Sequence, residues 1–400
     1  MSVSTQDRSP GVTAAAGFRA SGVTAGLKPS GRPDLALVVN DGPLQVGAAV
    51  FTTNRVQGAP VKWSRQAVAD GVVSAVVMNS GGANVSTGAA GFQDSHSTAE
   101  RVADALGISA GDVVVGSTGL IGERLPREIL LAGVDQAAAA LSPTGGLDAA
   151  IAIMTTDTVP KTAHLTVPGD FGTWTVGGMA KGAGMLAPAL ATMLCVVTTD
   201  AVVDAELADR ALRTATSRTF DRVDSDGCMS TSDTVVLLAS GASGASPDPE
   251  AFVAGVEAVC AQLAQQLVAD AEGASHDIGI TVMGATTEAA AVAVGRAVAR
   301  SALFKAAIYG NDPNWGRVLA QVGTVPDDVA PYDPDELDVT INGVQVCKGG
   351  EAHEPRSLVD LRANRLVTVL IDLHAGDEVA TVWTNDLTHD YVTENSEYST

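Results

Sequence analysis

Aromatic residues make up only 4% of this 400-residue chain. Its interior must therefore be assembled from Ala, Val, Leu and Ile rather than from large rings. Cysteines are also few: Cys195, Cys228, Cys260 and Cys347 stand far apart with no CxxC pair. That spacing excludes a disulfide framework and fits incidental thiols of a reducing compartment. The six histidines show no HxH or HExxH spacing, so no metal is expected. There is no GxSxG elbow, P-loop or strand–GxGxxG–helix fingerprint, and hence no nucleotide site or resident cofactor to expect. Cations are outnumbered, 24 Lys and Arg against 46 Asp and Glu, for a net charge of −22. Such a surface excludes partners that rely on phosphate neutralisation, both nucleic acid and anionic membrane. No run of about 18 uncharged apolar residues exists, so no membrane span is expected. The opening MSVSTQDRSPGVTAAAGF has no continuous apolar stretch of the secretory kind. The expectation is a cytoplasmic, soluble protein.

What is abundant is apolar and small. Hydrophobic residues reach 46% and glycines number 42, enough for a large core with many special turns. Short Val-rich runs read as strands: Leu35–Val39, Ala48–Phe51, Val72–Met78, Val113–Val115, Leu194–Thr199, Thr234–Ala239, Ile278–Met283, Val367–Leu373 and Val379–Thr384. Helical patterns lie between some of them. Ser97 and Glu100 read as a capping box ahead of Ala99–Leu106, and Pro126 opens a second pattern to Leu141. Glu250–Ala271 carries Phe252, Val256, Val259, Leu263 and Leu267 on one face. An Ala-rich helix follows over Glu288–Leu303. Strands and helices alternate without a regular βαβ beat, which predicts an α+β protein of mixed α/β layers.

The chemistry concentrates around one unusual segment, VGGMAKGAGMLAPALATMLCVVTT (Val176–Thr199). Its glycines precede Pro188 and then Thr192, at the mouth of an apolar strand. A threonine hydroxyl is a weak nucleophile unless a base lies beside it, and one such base is its own α-amine after chain cleavage. That amine titrates at about 7.7–8.0 when unperturbed, close to what a general base needs. The bland alternative is an ordinary strand threonine, favoured by its β-branch. Ser117-Thr118-Gly119 ends one strand and can aim hydroxyl and N–H donors at an oxyanion, or be only a turn. Lys181 is the one cation of the glycine-rich segment. Glu272 closes the long helix just before Gly273, an end where a carboxylate is disfavoured. Thr158 lies in the polar patch MTTDT.

Nine segments in order resemble the ornithine acetyltransferase family: FTTNRVQGAPV, NSGGANVSTG, STGLIGERLP, IMTTDTVPK, KGAGMLAPALATML, DGCMSTSDT, DAEGAS, DPNWGR and the terminal NSEYST. The resemblance implies an N-terminal-nucleophile-like αββα sandwich that cuts itself between Ala191 and Thr192. It would then divide into an α chain (1–191) and a β chain (192–400), assembling as an α2β2 heterotetramer. It implies Thr192 as nucleophile and Thr118 and Gly119 as the oxyanion hole. Substrate-binding positions carried over are Thr158, Lys181, Thr192, Glu272, Asn395 and Thr400. The implied reaction is ping-pong transfer of acetyl from N2-acetylornithine to glutamate, with acetyl-CoA as a further donor in some members and no cofactor.

Departures from the family pattern fall at Gly82, at Val85-Ser86 and at Ser275-His276, none of them at the nucleophile or oxyanion positions. Three rivals remain. One is an aminopeptidase on the same scaffold, passing the acyl group to water. Another is a paralogue acting on other acyl donors in secondary metabolism. The last is an uncut, inactive binding protein.

Overall fold

The computed structural model describes residues 9–169, 172–187 and 193–397. Ala191, Thr192 and Thr400, three of the positions singled out above, lie outside the described residues.

A first sheet is built from β1 (Phe18–Val23), β2 (Leu35–Asn40), β4 (Ala75–Asn79) and β5 (Val113–Ser117), in that order. A second has the order β3-β9-β8-β7-β6, from β3 (Val46–Phe51), β9 (Thr234–Ala239), β8 (Leu194–Thr199), β7 (Trp174–Lys181) and β6 (Lys161–Val167). Strand alternation explains how they stack. Ala36 and Val38 of β2 share a buried cluster with Leu194 and Val196 of β8 and Val236 and Leu238 of β9, so the two sheets face one another. The opposite side chains of β2, Leu35, Leu37 and Val39, pack on α2 (Gly88–Leu106) and α3 (Arg127–Ala139). Cys195 and Val197 of β8 point outward to α5 (Ala205–Arg218) and α6 (Pro249–Ala269). The result is helices, sheet, sheet, helices: the expected αββα sandwich. Helices α1 (Ala59–Ala67) and α4 (Gly146–Ala152) complete the first half.

A third sheet was not anticipated. Strands β10 (Asp277–Ala285), β11 (Asp338–Ile341), β12 (Val344–Lys348), β13 (Glu351–Ala352), β14 (Leu366–Asp372) and β15 (Glu378–Asn385) pair in the order β13-β12-β11-β14-β10-β15. One face buries Ile278, Ile280 and Val282 against α7 (Glu288–Ala299), α8 (Ala302–Tyr309) and α9 (Trp315–Val322), forming a separate core. The last element among the described residues is α10 (His389–Glu397).

Three helix readings need correction. Ser97 and Glu100 do not cap anything; they lie in the middle of α2, which begins nine residues earlier at Gly88. Its residues 93–98 (QDSHST) are polar although Asp94 among them is buried, holding Arg124 at 2.8 Å, and that run hides the apolar period. The Ala-rich pattern over 288–303 is two helices, since Ser301 stops one and caps the next by accepting from Phe304 N. The long helix ends at Ala269, so Glu272 lies beyond it rather than closing it. By length and composition α6 could cross a membrane, but it is a core helix here, burying Phe252, Val256, Val259, Leu263 and Leu267 beneath the second sheet.

Candidate active site

Strand β5 runs parallel to β4 and ends with Ser117 opposite Asn79. The residues after both strands interlock. The Ser117 hydroxyl donates to Asn79 Oδ1 (2.6 Å), and Asn79 Nδ2 donates to the Gly82 carbonyl (3.0 Å). Gly82 N–H in turn donates to the Thr118 carbonyl at 3.0 Å. Gly119 follows at φ +126°, and a Cβ there would stand 2.8 Å from Gly82 N. Only glycine permits that approach. Thr118 N–H is spent on the Asn79 carbonyl (3.0 Å), so what Thr118 can offer a ligand is its hydroxyl. Gly119 N–H has no hydrogen-bond partner among the described residues. One hydroxyl and one N–H on consecutive residues are thus left for an incoming oxygen.

Lys181 is brought to them by the second sheet. It ends β7, opposite Leu194 at the start of β8, and its side chain is 1% exposed. Its Nζ donates to Thr118 Oγ1 at 3.3 Å. Burial lowers the Lys181 pKa, while Asp157, Asp233 and Glu272 oppose that shift. Behind it Lys161, also buried, holds Asp157 at 2.7 Å and Asp270 at 2.5 Å. Asp157 further accepts Gly182 N–H (2.7 Å) and Thr155 N–H (2.8 Å). Burial pushes the Asp157 carboxyl up, but Lys181, Lys161 and the Gly182 N–H outweigh it and bring the pKa to about 2.

That shift has a measurable consequence. A folded-state pKa below the ordinary 3.8 means the native state favours the carboxylate, contributing about 2 kcal/mol. The contribution is complete above pH ~4 and lost as pH falls through about 2. Asp157→Asn is expected to be markedly less stable than the natural chain at neutral pH. Urea unfolding at a series of pH values should show the gap narrowing below pH ~4; a gap independent of pH would contradict the assignment.

Glu272 closes the same space. Its N–H donates to the Ala183 carbonyl (3.0 Å), and its Oε2 accepts from Asn395 Nδ2 of α10 (3.0 Å). Gly184 lies against the carboxylate: a Cβ there would come within 2.4 Å of Oε2. The neighbouring Met185 has φ +58°, a conformation that costs a non-glycine residue about 1–3 kcal/mol and collects at functional sites. Thr118, Gly119, Lys181, Glu272 and Asn395 all line one cavity of about 100 Å³, with Thr155, Thr156, Met185 and Ser230–Ser232 also on its wall. Ser230, Thr231 and Ser232 had been quoted above without a role, and nothing in their spacing separates them from any Ser/Thr-rich loop.

Thr158 sits outside this chamber. It lines an adjoining cavity of about 650 Å³ with Asp270, Glu272, Asp390, Glu394 and Asn395, and its hydroxyl is committed to Asp270. The two cavities share Thr155, Thr156, Glu272 and Asn395, so Glu272 and Asn395 stand at the passage between them. Carboxylates crowd the outer space: burial raises the Glu394 pKa, and Glu272, Asp390 and Asp270 raise it further. Among the described residues no cluster suited to a metal ion occurs.

The fold is an αββα sandwich, and its chamber gathers hydroxyls, a lysine and a carboxylate. The ArgJ family model matches residues 19–400, and the chain belongs to that family. It is 62% identical to "Arginine biosynthesis bifunctional protein ArgJ" of Streptomyces avermitilis, over 97% of this chain and 99% of the relative. The protein of the same name from Thermobifida fusca is 61% identical, over 97% of this chain and 100% of the relative. Among solved structures, a chain of ornithine acetyltransferase from Mycobacterium tuberculosis complexed with ornithine is 56% identical. That match covers 44% of this chain and 94% of the solved one, with a TM-score of 0.43.

Proposed function

We propose that this chain is a self-cleaving acetyltransferase that moves acetyl from N2-acetyl-L-ornithine to L-glutamate through an acetyl-threonine at Thr192. The observation that carries this reading is the single cavity joining the free Gly119 N–H and the Thr118 hydroxyl to Lys181, Glu272 and Asn395. Cutting would begin with Thr192 Oγ attacking the Ala191 carbonyl; the C–N bond breaks, the proton passes to nitrogen, and water then releases the ester. The freed α-amine takes the hydroxyl proton in each later turnover. Acetyl is accepted from acetylornithine with loss of ornithine, then delivered to the glutamate amine. At each tetrahedral stage Thr118 and Gly119 would carry the oxyanion.

The outer cavity supports a cationic substrate. Four carboxylates, Asp270, Glu272, Asp390 and Glu394, line it against Arg32 and Arg365, and an ammonium would relieve their mutual repulsion. Thr158, given its bond to Asp270, would act by orienting that carboxylate. The two halves of a cut chain would stay joined, since β7 and β3 of the first pair with β8 and β9 of the second. We place them in an α2β2 assembly.

The test is ornithine release from acetylornithine with and without glutamate, with acetyl-CoA as an alternative donor. Release that needs glutamate and yields N-acetylglutamate is expected, and acetylglutamate from acetyl-CoA would establish a second donor. Free acetate formed equally well without glutamate would instead favour the hydrolytic, aminopeptidase-like reading. Gly184→Ala probes the Glu272 contact. Its new methyl displaces a flexible carboxylate rather than backbone, so the fold should hold while the KM for acetylornithine rises about tenfold. An unchanged KM would remove Glu272 from substrate binding.

A further inference from the structure

The residue after the proposed nucleophile is held at three points, and two of them come from the entry to β9. Met193 N–H donates to Asp233 Oδ1 at 2.9 Å. Its carbonyl accepts Thr234 N–H at 3.0 Å. Its side chain, 1% exposed, is part of the core beneath the second sheet. Asp233 is itself fixed, since its carbonyl accepts Thr52 N–H at 3.0 Å and the Thr52 hydroxyl donates to the Ser230 carbonyl at 2.7 Å. Ser230 and Ser232 on the same loop line the chamber.

Asp233 is not what ordinary packing would choose. It is 0% exposed, and its second oxygen, Oδ2, has no hydrogen-bond partner among the described residues. A buried carboxyl with an unused oxygen is costly, and what stands against that cost is the bond it accepts from the Met193 N–H. Burial drives its pKa well above the usual carboxylate range, although the Met193 N–H, Ser230 and Lys181 all favour the charged form. The Asp233 side chain takes no part in pairing β8 with β9, whose parallel ladder begins with Leu194 opposite Thr234.

We propose that Asp233 is a positioning residue for acyl transfer, clamping the Met193 amide so that the residue ahead of it is presented to the Thr118 and Gly119 donors. The inference rests on the reading of Thr192 as nucleophile. A nucleophile at the end of a chain has covalent support on one side only, so its placement depends on how firmly the next peptide is held. The same clamp serves the uncut chain, where the attacking hydroxyl and its target carbonyl must already be aligned.

The test compares Asp233→Ala, Asp233→Ser and Asp233→Asn in the full chain. Readouts are the rate of chain cutting, kcat and KM for glutamate-dependent transfer, and the melting temperature. Ala and Ser cannot reach the Met193 amide, and both should slow cutting and lower kcat about a hundredfold, with KM within about twofold. Asn keeps an acceptor at the Oδ1 position and should restore both rates to within about threefold. Natural rates in Asp233→Ala would overturn the proposal. So would an Asn variant that folds yet is as slow as Ala, and so would Ala and Ser variants that simply fail to fold, since that pattern marks a structural residue. A natural chain left uncut between 191 and 192 would bring down the reading beneath it. A correctly cut chain with an indifferent Asp233→Ala would bring down this inference alone.

Discussion

Gly119→Ala should lose at least a hundredfold in kcat for acetyl transfer while its KM for acetylornithine changes little. The effect has two sources on the same residue. Gly119 has φ +126°, a region closed to alanine without strain, and the added Cβ would lie 2.8 Å from Gly82 N and 3.0 Å from Gly82 Cα. Both contacts are backbone, so neither can swing aside. Relief requires moving the loop 118–119 or the loop 81–82, and these are tied together by the Gly82 N–H to Thr118 carbonyl bond. Either movement takes the free N–H of Gly119 out of line. A single oxyanion donor is worth about 2.7–4 kcal/mol of transition-state stabilisation, which is the hundredfold. Steady-state kinetics beside a thermal melt separate the contributions, since strain alone would lower the melting temperature and leave kcat intact. A kcat within about threefold of the natural chain would exclude Gly119 from the oxyanion site.

Lys181→Met should be nearly as damaging, for a different reason. The methionine fills the volume of the lysine stem, so packing at the end of β7 is preserved. What is lost is a buried cation whose Nζ donates to the Thr118 hydroxyl at 3.3 Å. That bond occupies an oxygen lone pair of Thr118 and turns its proton outward, toward the chamber. Without it, the hydroxyl can rotate, and Asp157 behind the chamber keeps Lys161 but loses its second cation. An oxyanion forming in the chamber also loses the field of that second cation. The expected loss in kcat is again about a hundredfold. Lys181→Arg is the informative companion. It retains charge but not the geometry of a compact ammonium, and should recover only part of the rate. Equal activity of the Met variant and the natural chain would show that Lys181 serves the fold alone.

Much of the sandwich was legible because its strands are short, apolar and bounded by polar turns. Leu194–Thr199 and Thr234–Ala239 were read with the boundaries they have, as befits central strands buried on both faces. The strand β7 was not read as one, because Gly177 and Gly178 weaken a strand pattern. Their reason is tertiary. A Cβ at Gly177 would come 2.2 Å from the Gly11 carbonyl, and one at Gly178 would run into Leu263 and Val259 of α6. Gly184, by contrast, lies against a candidate site residue, Glu272. Helix α5 was missed although its signal was present: Asp204 caps it, accepting from Leu207 N.

The site divides in the same way. Gly119 is recognisable as a turn glycine, but its meaning depends on Gly82, which is distant in sequence and looked like a departure from the family pattern. Placing Glu272 at a helix end was wrong, yet the helix end was the signal that singled it out. Asp233 gave no sign at all. It stands in DGCMSTSDT as one more acid among hydroxyls, and only its burial beside the Met193 amide distinguishes it.

The measurement that tests the account most directly is the denaturing intact mass of the purified chain and of Thr192→Ala, each with and without acetylornithine in the absence of glutamate. The natural chain should give two species, residues 1–191 and 192–400, and acetylornithine should add one acetyl group to the second alone. Thr192→Ala should remain a single chain near 40.4 kDa and take up no acetyl. A natural chain that stays whole, or an acetyl group carried on residues 1–191, would contradict the N-terminal threonine on which the mechanism stands.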